Sequence, residues 1–279
     1  MQAATMSRRD STSALRRNNV RVVGSGAGRP IVLAHGYGCD SSVWGSVVPA
    51  LGAEHPVVLF DAVGAGDSDP GAYDPGRYST LDGYAEDLLD ILDALDLHDA
   101  VVVGHSVAAS IAVLAAPRAA GRIGALALLA PNPRFIDDPA TGYRGGFSRA
   151  DIDGLLDTLT HNYGGWAAAM APAIMANPER PELSEQFVDQ LCRMEPAIAA
   201  RFAAVTFRAD CRDALSAVDV PALVLQCTDD VLAAIEVGEY VQRALPRGEL
   251  VVLRATGHCP HLSAPRETAA AILDWAARA

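Results

Sequence analysis

The chain has 279 residues, of which 50% are hydrophobic, so it is long enough to bury the core of one α/β domain with an insertion. Its formal net charge of -12 argues against a nucleic-acid-binding surface, because phosphate contacts need clustered Lys and Arg. The sequence contains no apolar run of about 18 residues and no apolar signal segment, so we expect neither a membrane span nor secretion. The 5 cysteines form no C-x-x-C pair, which predicts free thiols in a reducing cytoplasm and no metal site.

The first third of the chain begins with a polar, aperiodic segment, residues 1–18, which we expect to be an unstructured tail. Short apolar runs then alternate with helical patterns, in the order strand Val20–Val23, strand Ile31–Ala34, helix Trp44–Leu51, strand Pro56–Phe60 and amphipathic helix Leu81–Leu95. The glycine-rich stretch Gly24–Gly28 is not followed by a helix, so we do not interpret it as a dinucleotide-binding site.

The next segment has the pattern of a nucleophile elbow. A run of three valines, Val101–Val103, predicts a buried parallel strand, and an alanine-rich helical pattern continues to about Ala116. Between them lies Gly104-x-Ser106-x-Ala108, and a Gly-x-Ser-x-Gly-like turn between strand and helix exposes its serine at the edge of the sheet. Such a turn is strained and needs small residues two positions either side. Ser106 is therefore the predicted nucleophile.

The second half of the chain contains a long helical interruption. After a strand at Gly124–Ala130, residues 131–218 show no strand pattern but four helical ones: Asp151–Asn162, Trp166–Met175, Ser184–Met194 and Pro196–Ala209. Strands and helices then alternate again to the end of the chain. Alternation predicts an α/β fold in which a mostly parallel sheet carries helices on both faces. We therefore expect one domain at residues 19–279, with a four-helix cap inserted at about 131–218.

Two late strands run into loops that carry acids and histidines. The strand Ala222–Gln226 leads to Asp229 and Asp230, and the strand Glu249–Leu253 leads to His258 and His261. A serine, then an acid, then a histidine, all at the carboxyl edge of the sheet, is the order of a Ser-His-Asp triad in α/β-hydrolases. The spacing alone does not choose between the two acids or between the two histidines.

Backbone donors for an oxyanion are also predicted. One is the amide of Val107, next to the nucleophile, and the other is the amide of Tyr37, in a loop where glycines allow close approach. Asp61 is a rival acid, but it opens a glycine turn and we interpret it as a loop stabiliser. His35 is interpreted as a packing residue of the Tyr37 loop.

Several segments together resemble the α/β-hydrolase fold, and specifically the branch that contains the bacterial sigma-B energy-stress regulator hydrolases and the plant strigolactone and karrikin receptors. The resemblance runs from about Asn19 to the C-terminus, includes the cap, and rests on these segments: His35–Trp44, Leu59–Ser68, Tyr78–Tyr84, Gly104–Val107, Pro131–Phe135, Asn162–Trp166, Leu225–Asp230 and Gly257–Ser263.

The resemblance implies which residues form the site. It selects Asp230 as the triad acid and His258 as the base, and it implies four cap helices over a mostly apolar pocket. Phe135, Trp166 and Phe207 stand where that branch places aromatic residues that line the pocket.

Three functions fit these residues. The first is a serine hydrolase that cleaves a small apolar ester, lactone or enol ether through an acyl-enzyme, with no cofactor. The alternative, implied by the resemblance, is a slow-turnover, ligand-sensing signalling protein whose cap contacts a regulatory protein partner. A cofactor-free haloperoxidase or a carbon–carbon hydrolase would use the same triad.

Overall fold

The computed structural model describes residues 8–279, with side chains from residue 12 onward. These residues form one seven-stranded sheet. Its strands are β1 (Arg21–Val23), β2 (Ile31–Ala34), β3 (Val57–Leu59), β4 (Ala100–His105), β5 (Ile123–Leu129), β6 (Ala222–Thr228) and β7 (Gly248–Thr256). The strand order is β1-β3-β2-β4-β5-β6-β7, and every neighbouring pair is parallel except β1 with β3.

Helices cover both faces of this sheet. They are α1 (Arg8–Arg17), α2 (Val48–Glu54), α3 (Leu81–Ala94), α4 (Val107–Ala115), α5 (Arg149–His161), α6 (Tyr163–Met175), α7 (Pro181–Leu191), α8 (Pro196–Arg208), α9 (Ile235–Ala244), α10 (Pro260–Ser263) and α11 (Pro265–Ala276). None of the helices in the described part of the chain is long and apolar enough to cross a bilayer.

Alternate residues of the central strands enter two separate cores. In β4, Val101 and Val103 pack with α2, α11 and most of the cap, whereas Val102 packs on the other face with α3, α4 and α9. Both faces of the strand are buried, so an apolar residue is favoured at each position. This explains the run of valines in the sequence.

The four helices α5 to α8 lie between β5 and β6, where the sequence predicts the cap. Each of these helices begins at residues that favour a helix N-terminus. A capping box between Ser148 and Asp151 opens α5, the Asn162 side chain accepts the Gly165 amide at the start of α6, and α7 and α8 begin with proline. The predicted α/β-hydrolase fold with an inserted four-helix cap is therefore confirmed.

The predicted unstructured tail at residues 1–18 needs a correction. Residues 1–7 lie outside the described residues, but Arg8–Arg17 form a helix that packs on α3, so the prediction is wrong for this part. Arg17 donates to Asp90 over 2.7 Å and pairs with the buried Asp87 over 2.9 Å. These partners lie far away along the chain, 73 positions in the case of Asp90, so the local pattern carries no sign of them.

Candidate active site

Ser106 occupies the sharp turn between β4 and α4. Its φ of 55° and ψ of -121° are unusual for a residue with a side chain, and such strain is often stored at functional sites. Gly104 is required for this turn, because a Cβ there would lie 2.5 Å from the carbonyl oxygen of Ala108. The methyl group of Ala108 is accommodated and buried. The turn thus has the geometry that the sequence pattern predicts for a nucleophile elbow.

Three buried side chains form a continuous hydrogen-bonded chain at this edge of the sheet. His258 Nε2 lies 2.8 Å from Ser106 Oγ, and His258 Nδ1 lies 2.8 Å from Asp230 Oδ2. In the tautomer that suits these neighbours, Nδ1–H donates to the carboxylate and Nε2 accepts the serine proton. This arrangement can transfer a proton from Ser106 to His258 while Asp230 stabilises the resulting imidazolium.

The structure distinguishes the two acids at the end of β6. Asp229 is exposed, whereas Asp230 is buried and its second oxygen accepts the amides of Leu232 and Ala233 at 2.9 and 3.0 Å. These two bonds leave the other oxygen directed at His258. Asp230 is therefore the acid that reaches the histidine, as the resemblance implies.

The loop that carries Asp230 is itself held by two buried amide side chains. Asn132 donates to the Leu232 carbonyl over 2.8 Å and to the Gly145 carbonyl over 3.1 Å. Gln226 donates to the Ala233 carbonyl. Sequence reasoning missed both roles, because an Asn or Gln gives no sign in the sequence of which distant loop it will bond.

The structure also distinguishes the two histidines after β7. His261 is fully buried beside the Trp44 ring, with centroids 4.6 Å apart, and its two ring nitrogens have no hydrogen-bond partner among the described residues. Burial, with His258 nearby, lowers the pKa of His261 to about 3, so its ring is neutral at ordinary pH. His261 packs behind the site, and His258 is the histidine that contacts Ser106.

A further histidine, His105, supports His258 from the last position of β4. His105 Nε2–H donates to the His258 carbonyl over 2.8 Å, and the two rings lie 5.0 Å apart. Burial and the neighbouring His261 and His258 rings keep the pKa of His105 well below its usual value, so it too is neutral. The sequence places His105 inside the elbow motif but gives no indication of this bond.

The predicted oxyanion donors lie beside Ser106. A Cβ on Gly36 would come within 3.3 Å of the Ser106 Cβ, so the loop that carries Tyr37 runs directly against the serine. Val107 is the first residue of α4, where amides have no partner within the helix. Among the described residues, neither the Tyr37 amide nor the Val107 amide donates to a protein acceptor. Their role as oxyanion donors stays a prediction.

Asp61 and His35 stabilise loops close to the site. Asp61 accepts the amides of Ser41 and Asp67 at 2.8 and 3.0 Å, and His35 Nε2 accepts the Ala62 amide at 3.0 Å. Each side chain is thus occupied by backbone groups. Neither is the acid or base that contacts Ser106.

An apolar pocket lies over Ser106 and His258, under the cap. The three predicted aromatics, Phe135, Trp166 and Phe207, all line it and are all buried. The remaining cap side chains that line it are also apolar apart from Thr206: Leu155, Met170, Ile174, Phe187 and Leu191. Such walls suit a small apolar ligand with few polar groups.

No group of three or more His, Cys, Asp or Glu side chains among those described, residues 12–279, is placed to hold a metal ion. The five cysteines are free thiols, and four of them are buried.

Comparison with known proteins places the chain in a family. The alpha/beta hydrolase family model matches residues 31–271. A rice protein described as a probable esterase is 39% identical over 249 residues, covering 89% of this chain and 91% of the rice protein. The strigolactone esterase of Arabidopsis thaliana is 37% identical over 252 residues, covering 90% of this chain and 93% of its own length.

Among solved structures, a hydrolase from Oleispira antarctica superposes with a TM-score of 0.93 at 34% identity, and each chain is covered completely. The similarity thus includes the cap as well as the sheet, and the predicted relationship to the plant strigolactone and karrikin receptors is confirmed. The family model matches most of the chain, the fold agrees with that match, and relatives are named esterases. The chain therefore belongs to the alpha/beta hydrolase family and is a hydrolase.

Proposed function

We propose that this protein is a serine hydrolase that cleaves a small apolar ester, lactone or enol ether, with Ser106, His258 and Asp230 as its catalytic triad. The observation that carries the proposal is the pair of 2.8 Å contacts that join Asp230, His258 and Ser106 at the floor of an apolar pocket. A serine hydroxyl is a weak nucleophile until a base removes its proton, and this arrangement supplies the base and its orienting acid.

The first half-reaction forms an acyl-enzyme. Ser106 Oγ attacks the carbonyl carbon of an ester or lactone, or of an enol ether that also carries a carbonyl group, as its proton passes to His258 Nε2. The amides of Tyr37 and Val107 hold the oxyanion of the tetrahedral intermediate, and the imidazolium is stabilised by Asp230. His258 then returns the proton to the leaving oxygen as the carbon–oxygen bond breaks.

The second half-reaction repeats these steps with water as the nucleophile. His258 removes a proton from the water, the acyl carbon–Oγ bond breaks, and the serine is reprotonated. In a lactone the leaving oxygen stays tethered to the acyl group, so the product is a single hydroxy acid. An apolar pocket favours substrates whose only strongly polar group is the one that reacts, because any other would be buried without a partner.

The direct test is intact-mass detection of an adduct on Ser106 across a panel of small esters, lactones and enol ethers. We expect a mass increase equal to the acyl fragment of an ester, or to the whole molecule of a lactone, and no increase in Ser106→Ala. The Ser106→Ala variant should lose up to about a millionfold in kcat. Hydrolysis of a p-nitrophenyl ester by this variant at the parent rate would overturn the proposal.

A second candidate function is a ligand sensor that turns over slowly and signals through a protein partner. It is supported by the likeness, over about nine tenths of the chain, to proteins named as karrikin receptors and strigolactone esterases. Turnover far below the roughly 1 per second at the lower end of typical enzymes, with a partner retained on the protein only when ligand is present, would favour it. Fast hydrolysis of many esters without any partner would exclude it.

A further inference from the structure

The loop that carries His258 is attached to the cap as well as to the sheet. Helix α6 ends at Met175 and is followed by Ala176, a C-cap residue with a left-handed φ of 48°. The last carbonyl groups of a helix have no partner inside it. The His258 amide donates to the Ile174 carbonyl over 2.8 Å, and the Thr256 hydroxyl donates to the Ala176 carbonyl over 3.0 Å. These two bonds dock the histidine loop onto the end of α6.

Close packing reinforces the two bonds. A Cβ on Gly257 would lie 2.2 Å from the Met175 carbonyl oxygen, so the loop backbone presses directly against the helix end. Asn177, the second residue after the helix, donates to the Met175 carbonyl and lies 3.4 Å from the Thr256 carbonyl. The contact therefore involves backbone on both sides, and a shift of either side must move the other.

The same helix forms a wall of the ligand pocket. Trp166, Met170 and Ile174 recur at intervals of four along α6, which places them on one face, and all three line the pocket. The Ile174 side chain thus lines the pocket, and the Ile174 carbonyl accepts the His258 amide. The position of the base depends on the helix that the ligand contacts.

We propose that Thr256 is a positioning residue, whose hydroxyl fastens the histidine loop to cap helix α6 and so keeps His258 Nε2 in line with Ser106. The proposal rests on the triad function given above. His258 is then anchored at both backbone groups, its carbonyl by His105 and its amide by the helix end that Thr256 secures. The cap thus helps to position the catalytic base, in addition to enclosing the pocket.

The chain offers a matched control in Thr228. Thr228 is the cross-strand partner of Thr256, both are half-buried, and the Thr228 hydroxyl also donates to a backbone carbonyl, that of Ala255, over 3.2 Å. The acceptor of Thr228 belongs to the sheet, whereas that of Thr256 belongs to the cap. The comparison of Thr256→Val with Thr228→Val therefore isolates the bond to the cap.

Two measurements on the 279-residue chain test the proposal. The first is kcat and KM on a p-nitrophenyl ester. The second is the rate at which a fluorophosphonate labels Ser106, a step in which the Oγ–phosphorus bond forms, fluoride leaves and His258 takes the proton. We expect Thr256→Val to lower kcat and the labelling rate about 10- to 100-fold with KM within about twofold, because small misplacements of a catalytic group cost that much. Thr256→Ser should restore both rates, and Thr228→Val should keep them.

Equal rates for Thr256→Val and Thr228→Val, or a rise in KM with unchanged kcat, would overturn the role of Thr256. If Thr256→Val fails to fold, judged by its thermal unfolding, the pair Thr256→Ala and Thr256→Ser gives the same comparison. Failure of the proposed function has a different signature, because the parent protein would then be labelled no faster than Ser106→Ala.

Discussion

The His105 ring donates to the backbone carbonyl of His258 although the two residues are 153 positions apart. The bond links the strand that carries the nucleophile to the loop that carries the base. The fixed distance between Ser106 and His258 thus depends on a residue that takes no part in proton transfer itself.

Replacement of His105 with Leu should therefore impair both stability and activity. The buried His258 carbonyl loses its donor, which costs about 1–3 kcal/mol in the free energy of unfolding. Because His258 is less well held, kcat should also fall while KM changes little. Urea unfolding and steady-state kinetics measure the two effects, and a variant as stable and as active as the parent contradicts the prediction.

The assignment of the acid is tested by two neighbouring variants. Asp230→Asn should reduce kcat by about 10⁴-fold, because the amide favours the wrong histidine tautomer and cannot stabilise the imidazolium. Asp229→Asn should leave kcat near the parent value, since the Asp229 side chain is exposed. Kinetics on one ester substrate compare them directly, and a larger effect at Asp229 would reverse the assignment.

The buried His261 should make the protein sensitive to acid. Its pKa is about 3 in the folded state, below the usual value of 6.5, so between these pH values the unfolded chain binds more protons. The free energy of unfolding should accordingly fall as pH drops below about 6.5, by up to about 1.4 kcal/mol per pH unit from this group.

His261→Phe removes this titration and two ring nitrogens that have no hydrogen-bond partner among the described residues, while it keeps a ring against Trp44. The variant should be at least as stable as the parent at pH 7 and should lose less stability between pH 7 and pH 5. Urea midpoints at the two pH values are the measurement. The same loss in both proteins would show that other groups dominate the acid response.

Gly104→Ala should disrupt the elbow. The added Cβ meets the Ala108 carbonyl oxygen at 2.5 Å, and this oxygen belongs to the first turn of α4 and cannot move without the helix. We expect a loss of about 1–3 kcal/mol in stability and a large fall in kcat. Gly142→Ala is a useful control, because a Cβ there meets nothing within 4 Å, although its φ of 73° carries some strain.

Much of the fold is predictable from the sequence because its signals are local. The valine run of β4 is apolar at each position since both faces of the strand are buried. The cap helices are predicted from their helical patterns, although α5, α6 and α7 begin at Arg149, Tyr163 and Pro181, slightly earlier than the expected starts at Asp151, Trp166 and Ser184. The elbow is likewise recognisable, because the turn requires small residues around Ser106.

The features that could not be predicted from the sequence depend on contacts between distant segments of the chain. The choice of Asp230 over Asp229 follows from burial and from two loop amides, and in the sequence only the family resemblance indicates it. Helix α1 was missed because Arg17 gains its partner, Asp87, only when α3 packs beside it. The roles of Asn132 and His105 are not visible in the sequence either, because the carbonyl groups that they bond lie in distant segments.

The backbone of Ser106 has a consequence for how this protein can evolve. A side chain held at a φ of 55° is costly, and glycine adopts positive φ without that penalty. A lineage released from selection for hydrolysis could therefore exchange the serine for glycine with little thermodynamic cost. If descendants keep a serine at this position, selection for its chemistry has continued, because the fold alone does not require a serine there.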